Sequence, residues 1–305
     1  MREGLVYRVP EEQDGCRLDR FLRQSIPGVT AKSVRFAIDA GDVRVGGEQA
    51  KKGRTLRRGE EVVVKRIPEA KDWLPVPGDL SGASVLYADG DVAVLSKPVD
   101  VHTEPHRPLE KGTLAGYLAW LHPGVLLFST EPGLTLLTRL DYATSGTVPA
   151  ALTPDAHEFL LREREHGRIV KTYLCLVTGT LEREISLAFR LDTGGGEKVR
   201  VRTESREPDP RYWTTVSPVR VTGGCTLVRA VISKGKRHQI RAHLAAAGFP
   251  IVGDRRYSAV PPEGPGNTRL MLHAAEVRFT HPEKKEPVRV ESPPPAEFGT
   301  IWGIR

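Results

Sequence analysis

The stretch Leu137-Thr-Arg-Leu-Asp-Tyr-Ala-Thr-Ser-Gly146 runs from the end of an apolar strand into a polar turn carrying Arg139, Asp141, Thr144 and Ser145. By itself it reads as an ordinary turn capped by an aspartate. Two later stretches share its mixed character. In Val170-Lys-Thr-Tyr-Leu-Cys-Leu-Val-Thr-Gly179, Tyr173 would ordinarily be sheet packing. Gly235-Lys-Arg-His-Gln-Ile-Arg-Ala-His-Leu244, running on to Asp254, reads as a basic amphipathic helix with Ile240, Leu244 and Ala247 inward. Each stretch has a bland explanation, but no single bland explanation covers all three in this order on one chain.

Around them, residues 83–305 show many strand patterns and few helical ones. Val85-Leu-Tyr87 and Val92-Ala-Val-Leu95 flank Asp89-Gly90, a hairpin signal. Leu114, Tyr117, Leu118 and Leu121 are spaced for a helix. Thr153-Pro154 supplies an N-cap and a proline at the first helical position, opening a helix through about 165. Further strands are predicted at 168–178, 184–189, 211–219, 225–233 and 273–280. Strands joined by short turns imply an α+β domain with a mixed, largely antiparallel sheet and peripheral helices. The absence of βαβ alternation argues against a dinucleotide-binding fold. Pro149 predicts a bulge or an edge in the strand after Gly146.

Residues 1–65 read as a separate small α+β unit. Leu18, Phe21 and Leu22 fall at helical spacing, and Thr30 can cap a second helix, 31–40, closed by Gly41. Between two β patterns lies Lys51-Lys-Gly-Arg-Thr-Leu-Arg-Arg58, with five basic residues and no acid. Lys51, Lys52 and Arg54 of this run join Arg17, Arg20, Lys32 and Arg35 of the neighbouring helices in an expected phosphate-tracking surface. Residues 66–82, with three prolines, two glycines and little periodicity, read as a linker.

Composition narrows the classes. A chain of 305 residues, 39% hydrophobic and 27% charged, has enough core for one large or two ordinary soluble domains without staples. Its net charge of +7 favours a polyanionic partner. Cys16, Cys175 and Cys225 form no C-x-x-C pair, so neither a zinc site nor a disulfide framework is expected, and a reduced, cytoplasmic setting fits. His238 and His243 are wrongly spaced for two ligands on one helix face, and Arg237 and Arg241 would repel a cation, so no metal is expected. No apolar run nears the roughly 20 residues of a membrane span, and the N-terminus lacks the apolar core of a signal peptide. A monomer with no membrane attachment is the expectation.

In this order the three stretches resemble the signature motifs of the RluA-type pseudouridine synthases. Those motifs are R-L-D-x-x-T-S-G, then K-x-Y-x-x-x-x-G, then G-R-x-H-Q-I-R-x-H-L with G-x-P-I-x-G-D after it. Val94-Leu-Ser-Lys-Pro98 and Arg269-Leu-Met-Leu-His-Ala274 are similar to that family's early K-P and late L-H-A strands. Arg17-Leu-Asp-Arg-Phe-Leu22, the helix from Thr30 and Gly41-Asp-Val-Arg-Val45 resemble an S4 RNA-binding domain. The chain departs from the pattern at Thr138, where the family often has His, at Pro149, and at Lys236, where Arg is common.

The resemblance implies an isomerase that detaches uracil from C1′ of the ribose, turns it and rejoins it through C5, with RNA as partner. The base leaves and returns within one site, so no cofactor is expected. It assigns Asp141 as the catalytic carboxylate, Tyr173 as a stacking platform under the uracil and Lys236 as the cation beside Asp141. Arg139 would contact a phosphate or fill the place of the extruded nucleotide, and Arg237 and Arg241 would contact phosphates. Family members with an S4-like domain often act on large-subunit ribosomal RNA, which makes that the expected target and transfer RNA the alternative. One rival is a non-catalytic RNA-binding protein on the same fold; Asp141, Tyr173 and Lys236 argue against it, since binding alone needs no enclosed carboxylate. The other is a hydrolase with Asp141 as general base, which lacks a second matched carboxylate or metal ligands in the motifs.

Overall fold

A computed structural model describes residues 1–194, 196, 198–258 and 269–298. The chain divides into two compact units. The first holds Met1–Val76, Pro105–Lys111 and Thr130–Leu134; the second holds Pro77–Glu104, Gly112–Ser129 and the described residues from Thr135 on.

In the first unit the elements are β1 (Arg2–Arg8), α1 (Leu18–Ser25), α2 (Ala31–Asp39), β2 (Val43–Val45), β3 (Glu48–Gln49) and β4 (Glu61–Ile67). The strands form an antiparallel sheet in the order β1-β4-β2-β3. Thr30 caps α2 as its position predicts, its Oγ1 accepting from the Ser33 amide at 3.1 Å. Leu18, Phe21 and Leu22 of α1 and Val34, Ala37 and Ile38 of α2 bury against Val43, Val45, Val62 and Val64 of the sheet. Full burial of such side chains contributes about 1.5–3 kcal/mol each. Residues 66–82, expected as a linker, carry the end of β4 and a 3-10 turn at Ala70–Trp73. The Trp73 indole is buried and donates to Ser33 Oγ at 3.0 Å, so the first unit continues into this segment as far as Val76.

The second unit contains β5 (Ser84–Ala88), β6 (Val92–Lys97), α3 (Leu114–Leu121), β7 (Ser145–Ala151), α4 (Pro154–Glu165), β8 (Val170–Thr178), β9 (Ile185–Leu187), β10 (Phe189–Asp192), β11 (Arg200–Arg206), β12 (Thr214–Thr222), β13 (Cys225–Ile232), α5 (Gln239–Ala246), β14 (Leu272–Thr280) and β15 (Pro287–Glu291). Nine strands make one sheet in the order β5-β6-β7-β14-β8-β13-β12-β9, with β15 also on β14. Every pairing is antiparallel except β7 with β14, so the sheet is mixed and largely antiparallel, as expected. Strands β10 and β11 form a separate ribbon. Helix α4 lays Ala156 and Leu160 on a core of Val92, Val94, Leu137, Val277 and Phe279. Among the described residues, no helix is long and apolar enough to cross a membrane.

Two residues explain how β7 sits in the middle of this sheet. At the parallel crossing Gly146 faces Ala274, with φ of 117°, and a Cβ there would stand 2.1 Å from the Ala274 carbonyl oxygen. Only glycine permits that approach. Pro149 produces neither the bulge nor the edge strand predicted for it: β6 and β7 pair without a register shift through Val94 and Pro149. The Pro149 carbonyl accepts from the Leu137 amide at 2.8 Å, so its nitrogen also faces away from β6, and the missing donor leaves the β6 ladder intact.

Candidate active site

Asp141 sits in the turn that enters β7, and the backbone on both sides of it is pinned. Thr103 Oγ1 donates to the Leu140 carbonyl at 2.9 Å and accepts from the Leu140 amide at 3.1 Å. On the other side the Tyr142 carbonyl accepts from Lys97 Nζ at 3.1 Å. Lys97 is fully buried, and its ammonium also donates to the carbonyls of Pro98 (2.8 Å) and Val101 (2.7 Å). Burial pushes the Lys97 pKa down to about 7, against the pull of Asp141 and Asp100. The Thr144 amide closes the turn onto the Asp141 carbonyl at 3.0 Å.

The cation beside Asp141 is Arg241, on the first turns of α5. Its Nη1 donates to Asp141 Oδ2 at 2.6 Å, while Nε and Nη2 grip the two oxygens of Asp254 at 2.8 and 2.9 Å. Burial alone would lower the Arg241 pKa; the contacts with Asp254 and Asp141 reverse this and hold it above its usual value. Asp254 is sealed from solvent, and burial would raise its pKa. The Arg241 fork and the amides of Arg256 (3.0 Å) and Tyr257 (3.1 Å) instead hold it below the ordinary carboxylate range.

Lys236 does not take the place expected for it. The sequence pattern set it against Asp141, yet its Nζ donates to Glu207 Oε2 at 2.5 Å and lies 4.7 Å from the Tyr212 ring. The physical reason is the start of α5. The helix begins only at Gln239, so Lys236 lies in the preceding turn, where its amide donates to Gln239 Oε1 at 3.0 Å. Arg241, expected at phosphates, is the residue whose side chain reaches Asp141.

His238 joins α5 to the site. It adopts the left-handed conformation (φ 55°), which is costly for a residue with a side chain. The Tyr257 hydroxyl accepts from the Val199 amide at 2.8 Å and lies 2.9 Å from His238 Nδ1. His238 Nε2 stands 3.8 Å from Asp141 Oδ1. Burial lowers the His238 pKa, the Asp141 charge opposing and the nearby arginines assisting. His243 and Gln239, on the same helix, are structural. His243 Nε2 donates to the Phe189 carbonyl and Nδ1 accepts from Thr214 Oγ1, each at 2.9 Å, and Gln239 Nε2 donates to the same hydroxyl at 3.1 Å.

Tyr173 projects from β8, buried, with Ala230 and Ala274 as its small lateral neighbours. Burial, and then the charge of Asp141, raise its pKa, so the phenol stays protonated. Arg139 is exposed and donates to Glu104 Oε1 at 2.5 Å. Arg237 is exposed, with Nη2 on the Gly196 carbonyl at 3.0 Å. In the first unit Arg17, Arg20, Lys32, Arg35, Lys51, Lys52 and Arg54 are all exposed; Arg17 pairs with Asp19, Arg54 with Glu60, and Lys32 lies over the Trp73 ring.

The second unit thus brings Asp141, Arg241, Asp254, His238 and Tyr257 into direct contact, with Tyr173 within reach of the Asp141 charge. Sequence reasoning gave no role to His238, Asp254, Tyr257 or Lys97. Asp254 was visible at the end of the third quoted stretch, and Lys97 in the K-P strand end.

A family model described as RNA pseudouridylate synthase matches residues 91–246. An uncharacterised RNA pseudouridine synthase of Aquifex aeolicus is 30% identical over 313 residues, covering 98% of this chain and 96% of that protein. Ribosomal large subunit pseudouridine synthase C of Escherichia coli strain K12 is 30% identical over 305 residues, covering 94% and 92%. Among solved structures, human RNA pseudouridylate synthase domain containing 1 superposes with a TM-score of 0.54 at 24% identity, covering 74% of this chain and 89% of that one, which is a likeness of fold.

Proposed function

Because the chain belongs to the RNA pseudouridylate synthase family, whose members are isomerases converting uridine in RNA to pseudouridine, we propose that it acts on large-subunit ribosomal RNA with Asp141 as its catalytic carboxylate. The observation that carries the assignment is the unequal treatment of the two Asp141 oxygens. Oδ2 is tied to Arg241, while Oδ1 accepts no hydrogen bond among the described residues and belongs to a side chain still 27% exposed. A carboxylate with one anchored and one available oxygen suits both modes of attack open to it, addition to the nucleotide or removal of a proton from the sugar. The protonated, buried Tyr173 beside it offers a ring on which the detached uracil can stack until it rejoins through C5.

Support for the target comes from relatives named for the large ribosomal subunit, which this chain matches along nearly its whole length. The exposed basic residues of the first unit support reading residues 1–65 as an S4-like RNA-binding domain. Extruding a uridine from folded RNA costs on the order of a few kcal/mol, which phosphate contacts there would offset.

The test is a pseudouridine map of total RNA from cells with and without the gene, paired with tritium release from uridine-labelled RNA by the native protein and Asp141→Asn. The expected result is a missing modification in large-subunit ribosomal RNA and no release by D141N. A missing site in transfer RNA overturns the target. Release by D141N overturns the catalytic assignment, and no release by the native protein leaves the non-catalytic binder.

A further inference from the structure

Two lysines of the second unit are buried, and they are treated in opposite ways. Every proton of the Lys97 ammonium has an acceptor, three backbone carbonyls at 2.7–3.1 Å. Lys171 is 6% exposed, yet among the described residues its Nζ makes no hydrogen bond and no ion pair. The sealed side-chain nitrogens and oxygens without a partner are Thr144 Oγ1 and Arg269 Nε and Nη2, so Lys171 Nζ, which also lacks one, keeps access to solvent. Its stem is packed, and its charged head is buried without being fully sealed.

The surroundings make this costly without an anion. Lys171 is flanked across the sheet by Ile232 of β13 and Val277 of β14, both apolar. Burial, and then the charge of another cation, Arg164 of α4, lower the Lys171 pKa to about 8; Arg164 has a loose partner in Glu165 at 3.7 Å. Arg164 is itself held toward the Asp141 segment, its Nη1 donating to the Leu137 carbonyl at 3.2 Å. Basic residues elsewhere in the unit have carboxylate partners: Arg168 has Glu163, Lys234 has Glu165, Lys236 has Glu207 and Arg241 has two aspartates. The position is also telling. Strand alternation puts Lys171 on the same face of β8 as Tyr173, one two-residue step away.

We propose that Lys171, with Arg164 behind it, is a seat for one backbone phosphate of the RNA, next to the nucleotide stacked on Tyr173. The inference rests on the functional reading above for the identity of the polyanion. A phosphate supplies the acceptor that the fold withholds from Lys171, and its charge offsets the repulsion from Arg164.

The experiment uses the full chain carrying Asp141→Asn, so that binding is read without turnover, and filter binding to an unmodified transcript of large-subunit ribosomal RNA across a range of salt. Adding Lys171→Met should weaken binding about tenfold at fixed salt, as for removal of one charge-assisted hydrogen bond. The slope of log K against log salt should fall by about 0.7–0.9, and Lys171→Arg should restore both. Replacing an unpaired buried charge by methionine should not unfold the protein; should it do so, Lys171→Gln repeats the comparison. Affinity and slope unchanged in K171M, or K171R no better than K171M, overturn the phosphate seat. The salt slope reports phosphates in any RNA, so this result stands apart from the target reading. Pseudouridine formed by the D141N parent would instead remove Asp141 from the chemistry while leaving the Lys171 comparison intact.

Discussion

Replacing Arg241 by methionine separates the two carboxylates it serves. Asp254 has a side chain 0% exposed, Arg241 11% and Asp141 27%. Removing the guanidinium leaves Asp254 as a buried carboxylate without its cation, a change that costs about 3–5 kcal/mol. The amides of Arg256 and Tyr257 still donate to Asp254 Oδ1, which puts the expectation near the lower end, about 3 kcal/mol. With a urea dependence of about 3 kcal/mol per molar, the unfolding midpoint should drop by about 1 M. Asp141→Asn removes only a partly exposed partner and should cost about 1 kcal/mol or less. The sign of the pH dependence follows from the burial. In the native protein the Asp254 pKa is depressed, so its stabilisation is present above the unfolded value and lost as pH falls through the folded one. In R241M burial is left to raise the Asp254 pKa, so the penalty is largest at neutral pH and shrinks as acid protonates the group. Urea unfolding followed by tryptophan fluorescence at about pH 7.5 and about pH 5 measures both effects, with R241M/D254N expected to recover most of the stability. Equal midpoints for R241M and D141N, or a penalty in R241M that grows toward low pH, would refute the view of Arg241 as anchored on Asp254.

Other consequences are direct. Tyr173→Phe should keep measurable pseudouridine formation while Tyr173→Ala abolishes most of it, because the ring is the proposed contribution; equal deficits in a tritium-release assay would point to the hydroxyl. Gly146→Ala should fail to give soluble folded protein, since its Cβ meets the Ala274 carbonyl oxygen at 2.1 Å, and a native circular dichroism melt for G146A would contradict the parallel crossing. Neutralising the exposed Lys51 and Lys52 to Gln should lower the salt slope of RNA binding by about 0.7–0.9 for each phosphate no longer neutralised, with turnover at saturating RNA preserved. An unaltered slope would remove that surface from the interface.

Much of this was legible in the chain because local chemistry and tertiary need agreed. The Asp89-Gly90 turn, the Thr153-Pro154 helix start and the Asp141 turn all appear where their residues predict. What escaped notice escaped for physical reasons. Strand β11, Arg-Val-Arg-Thr-Glu-Ser-Arg, has almost no apolar face because it pairs only in an exposed ribbon. Lys236 and Arg241 are both basic and both close in sequence to the motif; which one reaches Asp141 depends on where α5 begins and on Glu207 and Asp254, neither of which spacing reveals. His238, in its left-handed turn, contacts Tyr257 19 positions away, which spacing does not reveal. Pro149 misled because a strand's missing donor matters only on the side that it faces.

The same geometry gives the second carboxylate, Asp254, a structural part beside Asp141, the proposed catalytic residue. Asp254 takes four hydrogen bonds, two from Arg241 and two from backbone amides. It fixes the plane of the guanidinium before any substrate arrives. The remaining nitrogen then presents a positive charge to Asp141 Oδ2 at a set distance, and on the proposed mechanism that charge would need no reorganisation when the glycosidic bond breaks. A lysine, as a flexible point charge, would lack the planar fork that grips both oxygens of Asp254 while a third nitrogen is aimed at Asp141. The fork therefore accounts for the arginine at 241, the buried acid at 254 and the half-open acid at 141 as one device, in which folding energy spent on Asp254 orients the residue that holds Asp141.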